Sequence, residues 1–303
     1  MNAKIYLIMP FITISLLISC SCEQEKEKNR ETSIVEPKIN KNENLNISVL
    51  LDLSDRINPV KYPNPSMEFY KRDLGYIESI SKGFEKHIRS KPLKQINDQI
   101  QVYFEPEPLD AEINSLAKEL KMSFTNDAIT KEAIQQISPQ FTSISEKIYD
   151  LAINDKEYVG SDIWSFFKNK VNDYCIKPNH RNILFILTDG YMFHKDSKFL
   201  EQNKTSYLTP ELVRSLKLNT PKFKELIEKN GYGFVKANDD LSALEVVVLS
   251  VNPARGNPFE SDVITAYWTS WLQDMNVKSP IMKPMSAALP SDLDPIIQKY
   301  ITH

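Results

Sequence analysis

The chain alternates short, densely apolar runs with longer stretches in which apolar residues recur every three or four positions. Ile47, Val49, Leu50 and Leu51 make one such run, Ile183 to Leu187 a second, and Leu244 to Val251 a third. Runs of this length, rich in β-branched residues and lacking a polar face, read as strands buried on both sides. Ile100, Val102 and Phe104 add an alternating strand that Pro106 and Pro108 end. Phe69, Leu74, Ile77, Ile80 and Phe84 predict a helix over Met67 to Ser90. Further helices are expected over Ala111 to Lys121, over Asp127 to Ala152 with a break or bend at Pro139, over Val263 to Met275 and over Leu293 to Ile301. Another opens at Gly160-Ser161-Asp162, with Ser161 or Asp162 as its N-cap and Trp164, Phe167 and Val171 on its inner side. Strands alternating with helices predict an α/β fold, a doubly wound, mostly parallel sheet with helices on both faces.

Two of the buried strands end in carboxylates. Val49-Leu50-Leu51-Asp52-Leu53-Ser54-Asp55-Arg56 places Asp52 and Ser54 where the first strand runs out, and Thr188-Asp189-Gly190 ends the second with an acid and a glycine that can take positive φ. Ligands of such sheets gather at the carboxyl ends of the strands. The loops carrying Asp52, Ser54 and Asp189 are therefore expected on one rim, where paired acids make a cation site or a catalytic site. The polar stretch 191–240 leaves from the same strand end as an insertion. It carries two expected helices, Pro210 to Lys217 and Pro221 to Lys229, each opening on a proline, with Gly231 and Gly233 closing the second. It is either a lid and recognition surface over the rim or a helical hairpin packed to one side. His194 on this stretch either touches a ligand or is simply solvated, and Tyr191 is a candidate lining residue. Trp164, Trp268 and Trp271 fall on amphipathic helices and are expected in the core.

Composition changes the picture mainly at the N-terminus. The chain has 303 residues, 41% of them hydrophobic, enough for one main domain over residues 45–303. Residues 1–19 hold a single charge, Lys4, and then an apolar stretch too short for a comfortable membrane span, which reads as an export signal. Leu17-Ile18-Ser19-Cys20 resembles the bacterial lipobox, which implies that Cys20 is lipidated and anchors the protein to a membrane; Cys22 fits the pattern less well. Residues 20–44, rich in Glu, Lys and Asn, form a disordered tether. The expected location is the cell envelope, anchored to a bacterial membrane outside the cytoplasm. With 37 basic and 40 acidic residues and no basic block, nucleic acid is set aside as a partner. Cys22 lies in the tether, so no disulfide with Cys175 is expected.

Over residues 45 to 285 the order of segments resembles the von Willebrand factor A-like family: a strand with Asp-x-Ser-x-Ser, a helix, a strand, a Gly-Thr-Asp-type loop, and a strand ending in Thr-Asp-Gly. The resemblance implies a metal-ion-dependent adhesion site, in which a magnesium-type cation also takes a carboxylate from a ligand. Asp52 and Ser54 match the first two positions of the signature, Ser161 stands where the family usually has threonine, and Asp189 matches the last acid. The implied metal ligands are therefore Asp52, Ser54, Ser161 and Asp189, with Asp162 beside them, a donor set that suits a hard divalent cation. Arg56 occupies the place of the second serine and offers no lone pair to a metal. Two arrangements stay open: an ion bound despite Arg56, or a metal-free site in which Arg56 bridges Asp52 and Asp189. Asp55 as a substitute ligand would have to point away from its neighbours' face. The implied function is binding of a protein or other acidic ligand. A metal-dependent hydrolase using Asp52 and Asp189 is the alternative of a different class, and a scaffold whose site has decayed is the third.

Overall fold

A computed structural model of the chain describes residues 43–302 apart from 127–128, 156–159, 279 and 285–288; the expected signal, Cys20, Cys22 and nearly all of the tether lie outside the described residues. Six strands build the main sheet: β1 (Asn44–Leu51), β2 (Asn97–Tyr103), β3 (Met122–Thr125), β4 (His180–Leu187), β8 (Leu244–Val251) and β9 (Ile281–Pro284). Their order is β3-β2-β1-β4-β8-β9. Every neighbouring pair is parallel except β2 and β3, so β3 forms an antiparallel edge. The expected doubly wound α/β fold is what the structure shows. Within the insertion a small second sheet joins β5 (Leu200–Glu201), β6 (Lys204–Thr205) and β7 (Gly233–Phe234).

Alternate side chains of β1 serve opposite faces of the sheet. Leu45, Ile47, Val49 and Leu51 enter a core with α1 (Phe69–Arg89), α4 (Ile137–Asn154) and α10 (Pro290–Thr302). Leu50 joins the other core, built with α5 (Ile163–Asn169), α6 (Val171–Cys175), α9 (Glu260–Asp274) and the insertion. Glycines let α10 approach α1 closely. A Cβ on Gly75 would lie 2.5 Å from Pro290, and one on Gly83 would lie 2.9 Å from Ile301.

Several expectations are corrected. The expected helix over 127–152 is two helices, α3 (Lys131–Gln135) and α4, and the division falls at Gln136. Pro139 sits in the first turn of α4, where its missing N–H costs no bond. The helix opened by Asp162 divides into α5 and α6 at Lys170. In the insertion, α7 (Pro210–Ser215) begins on its proline with Thr209 as N-cap, but α8 (Phe223–Asn230) begins after Pro221. Gly231 ends α8 with φ +66°, whereas Gly233 opens β7. The end of the insertion packs against α9: Phe234 makes edge contacts with Tyr267, Trp268 and Trp271. Trp268 and Trp271 are buried as expected, Trp164 is partly buried, and the indoles of Trp164 and Trp271 both donate to the Val235 carbonyl. Cys175 is a buried free thiol, pushed up to about 12 by burial.

At the foot of the sheet, where the chain enters β1, a charged cluster is almost sealed from water. Lys91 Nζ lies 2.7 Å from Asp98, both side chains being fully buried, and also donates to the Glu43 carbonyl and to Asn44. Asp98 takes the Leu45 N–H at 2.6 Å and lies 3.2 Å from His87 Nε2. Removing one member leaves its partner buried without compensation. Lys91→Met should lower the unfolding free energy by about 3 kcal/mol in urea denaturation at neutral pH, and a loss under about 1 kcal/mol would show the pair to be dispensable. Burial opposes ionisation of Asp98, but the bonds from His87, Lys91 and the Leu45 N–H outweigh it and hold the carboxyl below its ordinary value of 3.8. Its contribution to stability is therefore present above about pH 4 and is lost as pH falls further.

Candidate functional site

The strand order reverses between β1 and β4, and this is where an open α/β sheet has its ligand crevice. Because Leu51 pairs in register with Leu187, the two chains leave the sheet side by side. The Asp52 N–H extends the ladder by one bond, to the Leu187 carbonyl at 3.0 Å. Asp52 is thereby fixed beside Thr188, whose hydroxyl donates to Asp52 Oδ2 at 2.8 Å, while the Ser54 N–H donates to Oδ1 at 2.9 Å.

A 3-10 turn over Asp55–Ile57 follows and folds Arg56 back beneath the rim. Its guanidinium is 5% exposed. Nη2 donates to Asp73 Oδ2 at 2.5 Å and to the Leu187 carbonyl at 3.0 Å, while Nε lies 3.6 Å from Asp52 Oδ2 and makes no hydrogen bond among the described residues. The second acid that Arg56 bridges is thus Asp73 of α1, and not Asp189 as in the metal-free arrangement left open by the sequence. Asp73, at 0% exposure, also accepts the Tyr149 hydroxyl at 2.9 Å and the Ser250 hydroxyl at 2.5 Å. Ser250 holds φ at +70°, an uncommon setting for a serine, in the strand end that faces Asp73. Burial opposes the charge on Arg56, but Asp73 and then Asp52 more than restore it, raising its pKa.

Asp189 is the partly open acid. Its Oδ1 accepts the Tyr191 N–H at 3.0 Å across the turn made by Gly190, whose φ is +95°. A side chain on Gly190 would meet Ile264 at 2.7 Å, so both φ and space require glycine there. Loss of surrounding water and the nearby charge of Asp52 push the Asp189 carboxyl up to about 7; Arg56 offsets only part of this. Ser54 sits at the N-cap position of the 3-10 turn without using its hydroxyl as a cap, which leaves that oxygen for another partner. Ser161 follows Gly160, whose φ is +89°, and pairs its backbone with Phe193 beyond β4, while the neighbouring Asp162 N–H bonds Glu105 at the end of β2. Ser161 is therefore fastened to the rim on both sides.

The remaining residues are placed differently from the simplest readings. Asp162 caps α5 by accepting the Ser165 N–H, and its other oxygen lies 3.4 Å from His194 Nδ1. His194 is mostly buried, not solvated, and its Nδ1 makes no hydrogen bond among the described residues. The Tyr191 hydroxyl is occupied by Glu260 and the Ala254 N–H, each at 2.8 Å, which ties the turn to α9. Asp55 points outward, with Lys61 and Tyr62 each 3.5 Å from its carboxylate. Asp73 was missed in the sequence. The signal was present: it falls four positions after Phe69 and four before Ile77, an acid on the inward stripe of α1.

The residues present fit a hard cation in donor type and in charge. Asp52 and Asp189 would supply charge at adjacent strand ends, Ser54 and Ser161 would supply neutral oxygens, and Arg56 is bonded to a third acid, Asp73. The order of parts is the one that the resemblance to the von Willebrand factor A-like family implies: a strand ending at Asp52, a helix, a strand, the Gly160 loop, and a strand ending in Thr188-Asp189-Gly190.

No family model and no curated protein matches the chain. Among solved structures, it is similar to the conserved hypothetical protein BatB from Bacteroides thetaiotaomicron, at 11% identity and a TM-score of 0.38, covering 86% of this chain and 100% of that one. An aerotolerance-related membrane protein from Bacteroides fragilis gives 11% identity and 0.36, covering 85% and 98%. The manganese-loaded TRAP protein of Plasmodium vivax gives 15% identity and 0.32, covering 84% and 74%.

The raised Asp189 carboxyl has a measurable sign. A group whose pKa is higher in the native state than in the unfolded one favours folding while protonated, so its contribution declines as pH rises from about 4 to about 7. In EDTA, Asp189→Asn should therefore raise Tm relative to wild type by about 3 °C more at pH 8 than at pH 5. An equal difference at both pH values would show that Asp189 titrates in the ordinary range.

Proposed function

We propose that the chain is an exported binding protein, lipid-anchored through Cys20, that captures a protein or other acidic ligand through a divalent cation of the magnesium type at the carboxyl ends of β1 and β4. Asp52, Asp189, Ser54 and Ser161 would hold the ion, with Asp162 and Arg56 beside them. Bound there, the ion supplies an open coordination position for a carboxylate of the ligand. The observation that carries the reading is the pair Asp52 and Asp189, two carboxylates on adjacent strand ends, where burial and then the charge of Asp52 push Asp189 up to about 7. A divalent ion relieves that charge better than Arg56, which is bonded to Asp73. The chain enters β1 at Glu43, at the amino ends of the strands and so opposite the site, which suits a tethered receptor.

Two experiments test this. Titration with magnesium, manganese and calcium at pH 8 should raise Tm for at least one ion, by roughly the equivalent of 2.7 kcal/mol at a hundredfold excess over Kd. Asp189→Ala should remove the shift. No shift in the wild-type protein would end the cation reading, and a shift that survives Asp189→Ala would place the ion elsewhere. For the anchor, a bacterial host fed radiolabelled palmitate should label the wild-type chain and leave Cys20→Ala unlabelled; equal labelling would remove Cys20 as the modified residue.

A further inference from the structure

We infer that Asp73 is a positioning residue that sets the cation affinity of the rim by holding Arg56 away from the strand-end acids. The inference rests on the cation reading above and adds a part that the Asp-x-Ser-x-Ser pattern does not contain. A guanidinium in the place of a serine oxygen is an internal competitor for any cation, since it brings its own positive charge to Asp52. Left to itself between Asp52 and Asp189, it would neutralise them and close the site. Asp73 prevents this by being the stronger partner.

The geometry shows the division. Arg56 gives Asp73 a direct bond at 2.5 Å, while the approach to Asp52 is 3.6 Å and that Nε makes no hydrogen bond among the described residues. The Leu187 carbonyl fixes the same Nη2 from the β4 side, so the fork cannot rotate toward Asp189 without breaking two bonds. Asp73 is itself immobilised on three sides: α1 carries it, Tyr149 of α4 donates to the oxygen that Arg56 uses, and Ser250 at the end of β8 donates to the other. Complete burial makes the pair strong, because an ionised Asp73 without Arg56 would be uncompensated. The result is a guanidinium that is hydrogen-bonded to Asp73 and only ion-paired with Asp52, at 3.6 Å. The rim keeps an oxygen set with excess negative charge, and its affinity is tuned by a residue that touches neither ion nor ligand.

The test is a double-mutant cycle read by isothermal calorimetry of manganese binding to the full chain in detergent at pH 8. Asp73→Asn keeps the shape and the acceptor oxygen but removes the charge that holds Arg56, and should weaken manganese binding by about tenfold or more. Arg56→Gln removes the competitor and should tighten it by about tenfold. The decisive variant is the double one: with no guanidinium to release, Asp73→Asn should no longer weaken binding, and the affinity should return to at least the wild-type value. A double variant as weak as Asp73→Asn alone would show that Asp73 acts through the general structure and would overturn the inference. So would an Asp73→Asn protein that binds manganese as wild type does. If Asp73→Asn fails to fold, Arg56→Gln still decides: equal or weaker binding than wild type overturns the competitor role. If neither the wild type nor Arg56→Gln binds manganese, the cation reading itself fails, a result distinct from all of these. Binding by Arg56→Gln alone means that Arg56 fills the site despite Asp73, which also overturns the inference.

Discussion

Arg56 and Asp73 meet where water does not reach, and four elements depend on how that meeting is resolved. The guanidinium leaves the turn after β1, the carboxylate comes from α1, and Tyr149 of α4 and Ser250 of β8 complete the shell of the acid. Replacing such a group by apolar side chains need not destabilise a protein, but removing a single member leaves a buried charge with no counterpart. The arrangement therefore specifies geometry more than it adds stability. It fixes the angle at which the turn leaves β1, and so the direction in which Asp52 and Ser54 face.

From this constraint the rim follows. Parallel pairing of β1 with β4 carries Asp52 and Asp189 to neighbouring exits, and one extra ladder bond, from the Asp52 N–H to Leu187, keeps them level. Asp52 is enclosed, each of its carboxylate oxygens taking one hydrogen bond, whereas Asp189 is partly open and raised to about 7. The end of the insertion packs on α9, where Phe234 meets Trp271, while its first residues pair with the Ser161 loop through Phe193 and reach Glu260 through the Tyr191 hydroxyl.

How much of this was legible in the sequence depended on pattern length. Strands β1, β4 and β8 were readable because a buried parallel strand has no polar face to confuse it, and both acids stood at their ends. Strands β3 and β9 were missed; each is four residues long at an edge of the sheet, too short for a period to show. The break at Gln136 was assigned to Pro139 because proline is a visible breaker, although a proline in the first turn breaks nothing. Arg56 stood out as a departure from the family pattern, but its partner did not. Asp73 lies among charged neighbours in a helix that looked amphipathic without it, so its place on the inward stripe went unread.

The position of a bound cation decides the function of the rim. Anomalous diffraction from crystals soaked in manganese at pH 8 would measure it directly. One anomalous peak is expected at the rim, between Asp52 and Asp189 and within about 2.3 Å of at least two of the oxygens of Asp52, Ser54, Ser161 and Asp189, with Arg56 still on Asp73. No peak at the rim, or a guanidinium lying across the two strand-end acids in its place, would contradict the cation reading.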